Sequence, residues 1–444
     1  FYIGRATPSA GGKYAVMYND ATTSTTGLNI VDGAYTVTNQ WDGNFVVTLD
    51  GTTPDAASNW VTMFTPNALF TSAPGARITG ESVALSGTHV NTSNAPYGQR
   101  SGVSTADLTS ATGLYLGVNA ADVPVVSIAS GDWNATSTWS GGVVPTCANV
   151  AIIANGHTVT SSTSGNFAKG ISIASGGTLE VSAGDLTVGC TLNNNTLTNN
   201  GTLTVSGGLL AVNGNISNAA GSTFNHTGGN IDIDGNNGGS ATGSVASGTP
   251  LLLFLSNNIN LAGGTITIID PHTATTNTNA VAVKFDTSSA TANSRNTSPS
   301  HILQFGDGVS TDAGGNTSGF FIDSWSTTGY LVIGKLVVNG ATGTNRVVSS
   351  RFNLSVRGDI EIATSSTLNL ATPLVLGGNL LVNTTGNYTN TSGTALNYVI
   401  DNTGTKKKKK NDFLPQTITN NGVMANAVAS PTANLFSLEV NNAK

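Results

Sequence analysis

Two carboxylates set two positions apart, Asp232 and Asp234 in the run NIDIDGNNG at 230–238, are the first candidates for chemistry. In an extended strand, residues two apart share a face, so these carboxylates would stand about 7 Å from each other. An inverting glycosidase keeps its acid and its base about 6.5–9.5 Å apart, and the pair falls in that range. Ile231 and Ile233 would then turn inward, leaving the carboxylates on the solvent side, where they need no special explanation. The same two residues with Asn236 alternate oxygen donors like the first half of a calcium loop, and Asp307 with Asp312 brackets a second Gly-rich loop. Neither has the closing Glu that completes such a loop, so a hydrogen-bonded Asp/Asn corner is the simpler reading. Calcium at Asp232, Asp234 and Asn236 is the one cofactor the sequence suggests.

Other chemistry finds little footing. The text holds no phosphate-binding glycine loop ending in Lys, no G-x-S-x-G elbow, no H-E-x-x-H and no C-x-x-C. Five histidines are scattered, and no second ligand keeps metal spacing with His157. The five lysines 406–410 read as a solvated loop, with a basic finger on an acidic polysaccharide as the functional alternative. A formal net charge of −6 gives no electrostatic basis for nucleic-acid binding. The longest apolar run, LLLFL at 251–255, is far short of a membrane span.

The acidic pair lies in a stretch that nearly repeats itself. GTLEVSAGDLTVG at 177–189 returns as GTLTVSGGLLAVNG at 201–214, and a looser copy reads GSTFNHTGGNIDIDG at 221–235. The leading glycines are spaced too closely for each copy to be a domain, and such a period marks a stacked repeat. Each copy carries two short strands with an apolar residue at every second position, and a third segment follows, as at 196–198 and 215–217. Three strands and three corners make one turn of a coil, and stacked turns share backbone hydrogen bonds and a continuous core. The sequence therefore predicts a parallel β-helix, right-handed by precedent, with Leu179, Val181, Leu186, Val188, Leu203, Val205, Leu210, Val212, Ile231 and Ile233 inside.

Composition agrees with an all-β protein. The chain has 444 residues, 54 of them Gly and only 9% charged, and is rich in Thr, Ser and Asn. Gly and Asn suit corners, Thr and Val suit strands, and helix formers are scarce. Residues 1–123 lack the short period and read as a β-sandwich, with candidate strands at 13–18, 33–38, 44–49, 60–64, 77–79, 82–85 and 114–118. Tyr35, Trp41, Phe45, Trp60, Phe64 and Phe70 are expected in its core, a sugar-binding platform of Trp41 or Trp60 being the alternative. Residues 124–444 are expected to form the β-helix, irregular with longer loops at about 236–330, and its last strand, FSLEVN at 436–441, leads us to expect continuation beyond 444. Cys147 and Cys190, 43 residues apart, leave a disulfide and two buried thiols equally open.

A family resemblance attaches to residues 130–160. Trp133, Trp139 and the run SGGVVP at 140–145, followed by NGHTVT at 155–160, resemble the opening of β-helical modules in very large secreted surface proteins of the Bacteroidota, many of them adhesin-like cargo of type IX secretion. The likeness covers about 130–235 well and later repeats loosely, and its pattern is architectural, carrying no catalytic residue. It implies an extracellular, cell-surface location and an adhesive or filament-forming role, with further modules, neighbouring copies or a surface glycan as partners. The rival expectations are a polysaccharide-processing β-helix enzyme and a carbohydrate-binding module. Physically, Trp133, Trp139 and Pro145 suit a plug over the coil's first turn, since an open β-edge must be covered or will pair with another chain.

Overall fold

The structure is a computed structural model that describes residues 2–5, 13–21, 23–50, 59–63, 76–90, 98–190, 195–235, 249–269, 281–286, 296–310, 320–324, 331–341, 346–350, 352–370, 372, 374–390, 418–420 and 423–426. The lysine run, the 436–441 strand, Asn236 and Asp312 lie outside these. The chain divides into two units, residues 1–125 with 148–150, and residues 126–147 with 151–444.

The first unit holds two antiparallel sheets. One runs in the order Tyr2–Arg5, Asn59–Met63, Gly98–Ser101, Thr88–His89, and the other Lys13–Asn19, Asn39–Asp50, Leu114–Val118, Arg77–Thr79. Gly98 lets them close together, because a Cβ there would meet Leu116 at 2.8 Å and Ile78 at 3.1 Å. Trp41, Phe45, Ile78, Leu108 and Leu114 fill the core, and Trp41 is wholly buried, so it offers no sugar platform. The side chains of Trp60, Phe64 and Phe70 lie outside the described set. The expected strand at 82–85 is instead a turn: Ser82 has φ 56°, and Gly80 bridges back to Val83. Arg100 is 2% exposed and ties the unit together. It donates to Asp32 at 2.9 and 3.1 Å and to the carbonyls of Leu85, Ser86 and Gly87.

The second unit is the parallel β-helix. Its first face stacks Thr158–Ser161, Thr178–Val181, Thr202–Val205, Thr223–His226 and Asn258–Leu261, all parallel and in register. The second stacks Asn166–Ala168, Asp185–Val188, the first half of Leu209–Asn218, Asn230–Asp234, Thr265–Ile268, Ile302–Phe305, Lys335–Val338, Ile360–Ile362 and Leu380–Val382. The third carries Gly170–Ile173, Asn195–Asn199, the second half of Leu209–Asn218, Leu252–Phe254 and Val283 onward. Side chains line up in columns: Leu179, Leu203, Phe224 and Ile259 form one inward column, and Leu186, Leu210, Ile231, Ile266 and Leu303 another. All ten core residues read from the repeats are buried. Each such side chain contributes about 1.5–3 kcal/mol by leaving water.

Corners explain the glycines and asparagines. Gly184, Gly208, Gly229 and Gly264 stack at one corner with φ between 63° and 81°, each carbonyl accepting from the next turn. A Cβ on Gly208 would lie 2.4 Å from Gly184 O, so both the left-handed backbone and the close stacking demand glycine. At another corner Asn199 donates through Nδ2 to Asn218 Oδ1 at 2.9 Å, and both side chains are fully buried. Thr178 pairs with Thr202 and Thr202 with Thr223, but Thr223 pairs with Asn258, so the turn lengthens abruptly. In sequence, 236–248, 270–280 and 311–319 each fall between a second-face and a third-face strand, and 287–295 between a third-face and a first-face strand. Turns shorten again when Leu336 pairs with Ile360 and Ile360 with Leu380.

The opening of the coil is covered. Trp133 and Trp139 are buried and packed edge to face, ring centroids 5.0 Å apart, with Trp139 Nε1 donating to Trp133 O. Trp133 N donates to Thr160 O and Ser127 N to Ile152 O, fastening this segment to the first turn. His157, for which the sequence offered no second metal ligand, faces Ser127, its Nδ1 3.0 Å from Ser127 O and 2.9 Å from Ser127 Oγ. Cys147 and Cys190 form a disulfide.

Candidate functional site

Asp232 and Asp234 sit where strand alternation puts them, outward between the inward-facing Ile231 and Ile233. Each is half-buried, which corrects the expectation that both are freely solvated. In register with Asp232 stand Ala211 on one side and Thr267 on the other, and Gln304 follows Thr267. Thr267 is an outward position only 7% exposed, so this part of the outer face is covered.

Burial pushes the Asp232 carboxyl above the usual carboxylate range, a hydrogen bond from Thr267 opposes this, and the charge of Asp307 adds to the rise. Asp307 goes the other way. Its own burial pulls it up, but hydrogen bonds from Ser310 and from the Val309 and Ser310 backbone outweigh that and hold it low. Asp307 Oδ1 accepts from Val309 N at 2.8 Å and Ser310 N at 2.7 Å, and Oδ2 accepts from Ser310 Oγ at 2.6 Å. Two carboxylates with opposed shifts are the pattern of an acid and a base. Here, however, the oxygens of Asp307 are engaged by its own turn, so what the geometry offers is one carboxyl, Asp232, inclined to hold a proton. Thr267 and Ser310 were missed by the sequence reading, and the only signal for Thr267 was its alternation in Thr-Ile-Thr-Ile at 265–268.

The calcium reading is not supported by a ligand cluster. Among the described residues no three His, Cys, Asp or Glu side chains gather as a metal site would require.

A second polar group lies inside the coil. His226 occupies the inward column that holds Val181 and Val205 in the preceding turns and Leu261 in the next. Its Nδ1 is 3.0 Å from Nε2 of His301, and its Nε2 is 3.3 Å from Gly229 O. A carbonyl can only accept, so Nε2 of His226 carries hydrogen, its Nδ1 is bare, and His301 donates to it through Nε2. That leaves Nδ1 of His301 without a hydrogen and without a partner. His301 lines a cavity of about 10 Å³, room for about one water molecule, walled otherwise by apolar side chains including Phe254, Leu261 and Phe285. An orphaned buried acceptor costs about 1–3 kcal/mol. Burial depresses both imidazoles, His226 to about 4 and His301, with His226 beside it, to about 3.

Comparison with protein-family models, with curated proteins and with solved structures finds no match for this chain.

Proposed function

We propose that this chain is a non-enzymatic, extracellular structural or adhesive segment of a larger modular surface protein. The observation that carries this reading is the first face of the coil. Its outward positions are Thr158, Thr178, Thr202, Thr223 and Asn258 in one column, and Thr160, Glu180, Thr204, Asn225 and Asn260 in the next. Hydroxyl and amide groups repeated at the strand spacing of about 4.8 Å make a polar surface suited to hydrogen bonding along a glycan or a neighbouring copy. The Cys147–Cys190 disulfide fits an oxidising compartment outside the cytosol. The resemblance carried by Trp133, Trp139 and the 140–145 run points the same way.

The experiment is a pull-down on insoluble polysaccharides with reducing ends assayed in the supernatant. Retention without release is the expected outcome. The rival, a polysaccharide-processing enzyme, is favoured by the raised Asp232 carboxyl. Steady release of reducing ends, lost in Asp232→Asn/Asp234→Asn, would replace the adhesive reading with the enzymatic one.

A further inference from the structure

We propose that the His226–His301 pair is an acid-sensitive latch: neutral, it keeps the turns around 223–305 closed, and proton uptake opens them. Three observations carry this. The two rings meet inside the coil at 3.0 Å, at 0% and 1% exposure. One nitrogen, Nδ1 of His301, is buried without a partner, and His301 lines the cavity. Finally, the column that takes His226 takes Val at 181 and 205, so a plain apolar side chain fills the same position one turn earlier without an unpaired atom.

The surroundings decide the sign. Leu252, Phe254, Leu261, Val283, Phe285 and Leu303, from the strands packed around the pair, bring only hydrocarbon. The charged side chains on the neighbouring elements are otherwise engaged. Lys284 pairs with Asp286 at 2.9 Å, Lys335 with Glu361 at 3.1 Å, Arg357 donates to Thr297 O, and Asp232 faces outward beside Thr267. Among the described residues no carboxylate acts on either ring to stabilise an imidazolium. The first proton goes to the bare Nδ1 of His301, where it finds neither counterion nor acceptor, and a second, on Nδ1 of His226, breaks the imidazole–imidazole hydrogen bond. Opening hydrates both rings and returns them to the ordinary value of about 6.5.

Between about pH 6.5 and 4 the opened coil therefore binds up to two more protons than the closed one. The closed state's advantage is full above that window and falls as pH drops through it, by up to about a hundredfold in the opening equilibrium per pH unit. Asp232, whose carboxyl is raised in the closed coil, favours closure as pH falls, the opposite sign to the histidines, so it does not imitate the latch.

Hydrogen exchange followed by mass spectrometry on the whole chain tests this, with rates corrected for the intrinsic pH dependence of amide exchange. Between pH 5.5 and 4.5 the amides of 223–226, 258–261 and 302–305 should open about a hundredfold more, while 178–181 and 354–356 do not follow. His226→Leu/His301→Leu should abolish that dependence. A uniform response along the coil, no response, or a response kept by the double variant would each overturn the proposal. Should the double variant not fold, imidazole-carbon NMR of the unaltered chain decides. Both rings staying neutral down to about pH 5 is expected, and either titrating near 6.5 in the folded chain overturns it.

Discussion

The turns built from Val150–Ile153 to Asn230–Asp234 and those built from Leu252–Phe254 to Phe320–Ser324 share three faces and, apart from a one-residue shift between Val281 and Val283, one register, but fill the space between them differently. The early turns are closed by Leu and Val and by the Asn199–Asn218 pair. In the same column as those asparagines the later turns place Phe254 and Phe285, stacked with centroids 4.9 Å apart, and Phe224 meets Phe254 edge to face. His301 and most of the cavity lining belong to these later, longer turns, and His226 meets them from the last of the early ones. The comparison teaches that this β-helix holds its hydrogen-bond ladder nearly in register while its core volume varies from turn to turn. Once register is kept, a turn can take larger rings and an orphaned nitrogen.

The sharpest way to break this contrast is to put a charge in the narrow early core. Val205→Asp should destabilise by about 4 kcal/mol or more, since an unpaired carboxylate there has no route to water, and a urea midpoint would measure it. A near-neutral result would mean the early turns are as accommodating as the later ones. Next in size is the disulfide. Replacing both cysteines by serine frees a 43-residue loop and should lower stability by about 4 kcal/mol at most, seen as a fall in the same midpoint. Gly264→Ala probes the junction of the two regions. Its φ of 81° and a Cβ placed 2.4 Å from His226 Nε2 should cost about 2 kcal/mol, with thermal unfolding as the readout. The smallest effect is expected at Asp232. Its carboxyl is raised in the folded chain, so the ionised form is disfavoured at neutral pH. Asp232→Asn should therefore stabilise slightly at pH 7, with the gain vanishing as pH falls through the ordinary Asp value. A loss at pH 7 would show that the charge is used.

Much of the early coil was legible because its signal is local. Leu186 and Leu210 are register partners, as the repeat at 177–214 implies, and Val181 and Val205 likewise. The reading failed where a local pattern was overruled. Val83 and Leu85 alternate like a strand, but Gly80 and Ser82 turn the chain back within three residues. The His pair was invisible because His226 and His301 are 75 residues apart, and only the lengthened turns bring them together. The partial burial of Asp232 was hidden for a similar reason, since Thr267 and Asp307 reach it from later turns.

The disulfide has a mechanical meaning for a chain of this shape. Pulled from its ends, a stack of parallel turns surrenders its length turn by turn, each rupture involving only the few hydrogen bonds of one strand. Between Cys147 and Cys190 lie Thr158–Ser161, Asn166–Ala168, Gly170–Ile173, Thr178–Val181 and Asp185–Val188. Tension entering at one sulfur leaves at the other, so these strands carry no load. About 150 Å of contour is thereby withheld from extension. The tryptophan plug is itself on the loaded side of that bond, so under force the covering would give way before the turns it covers.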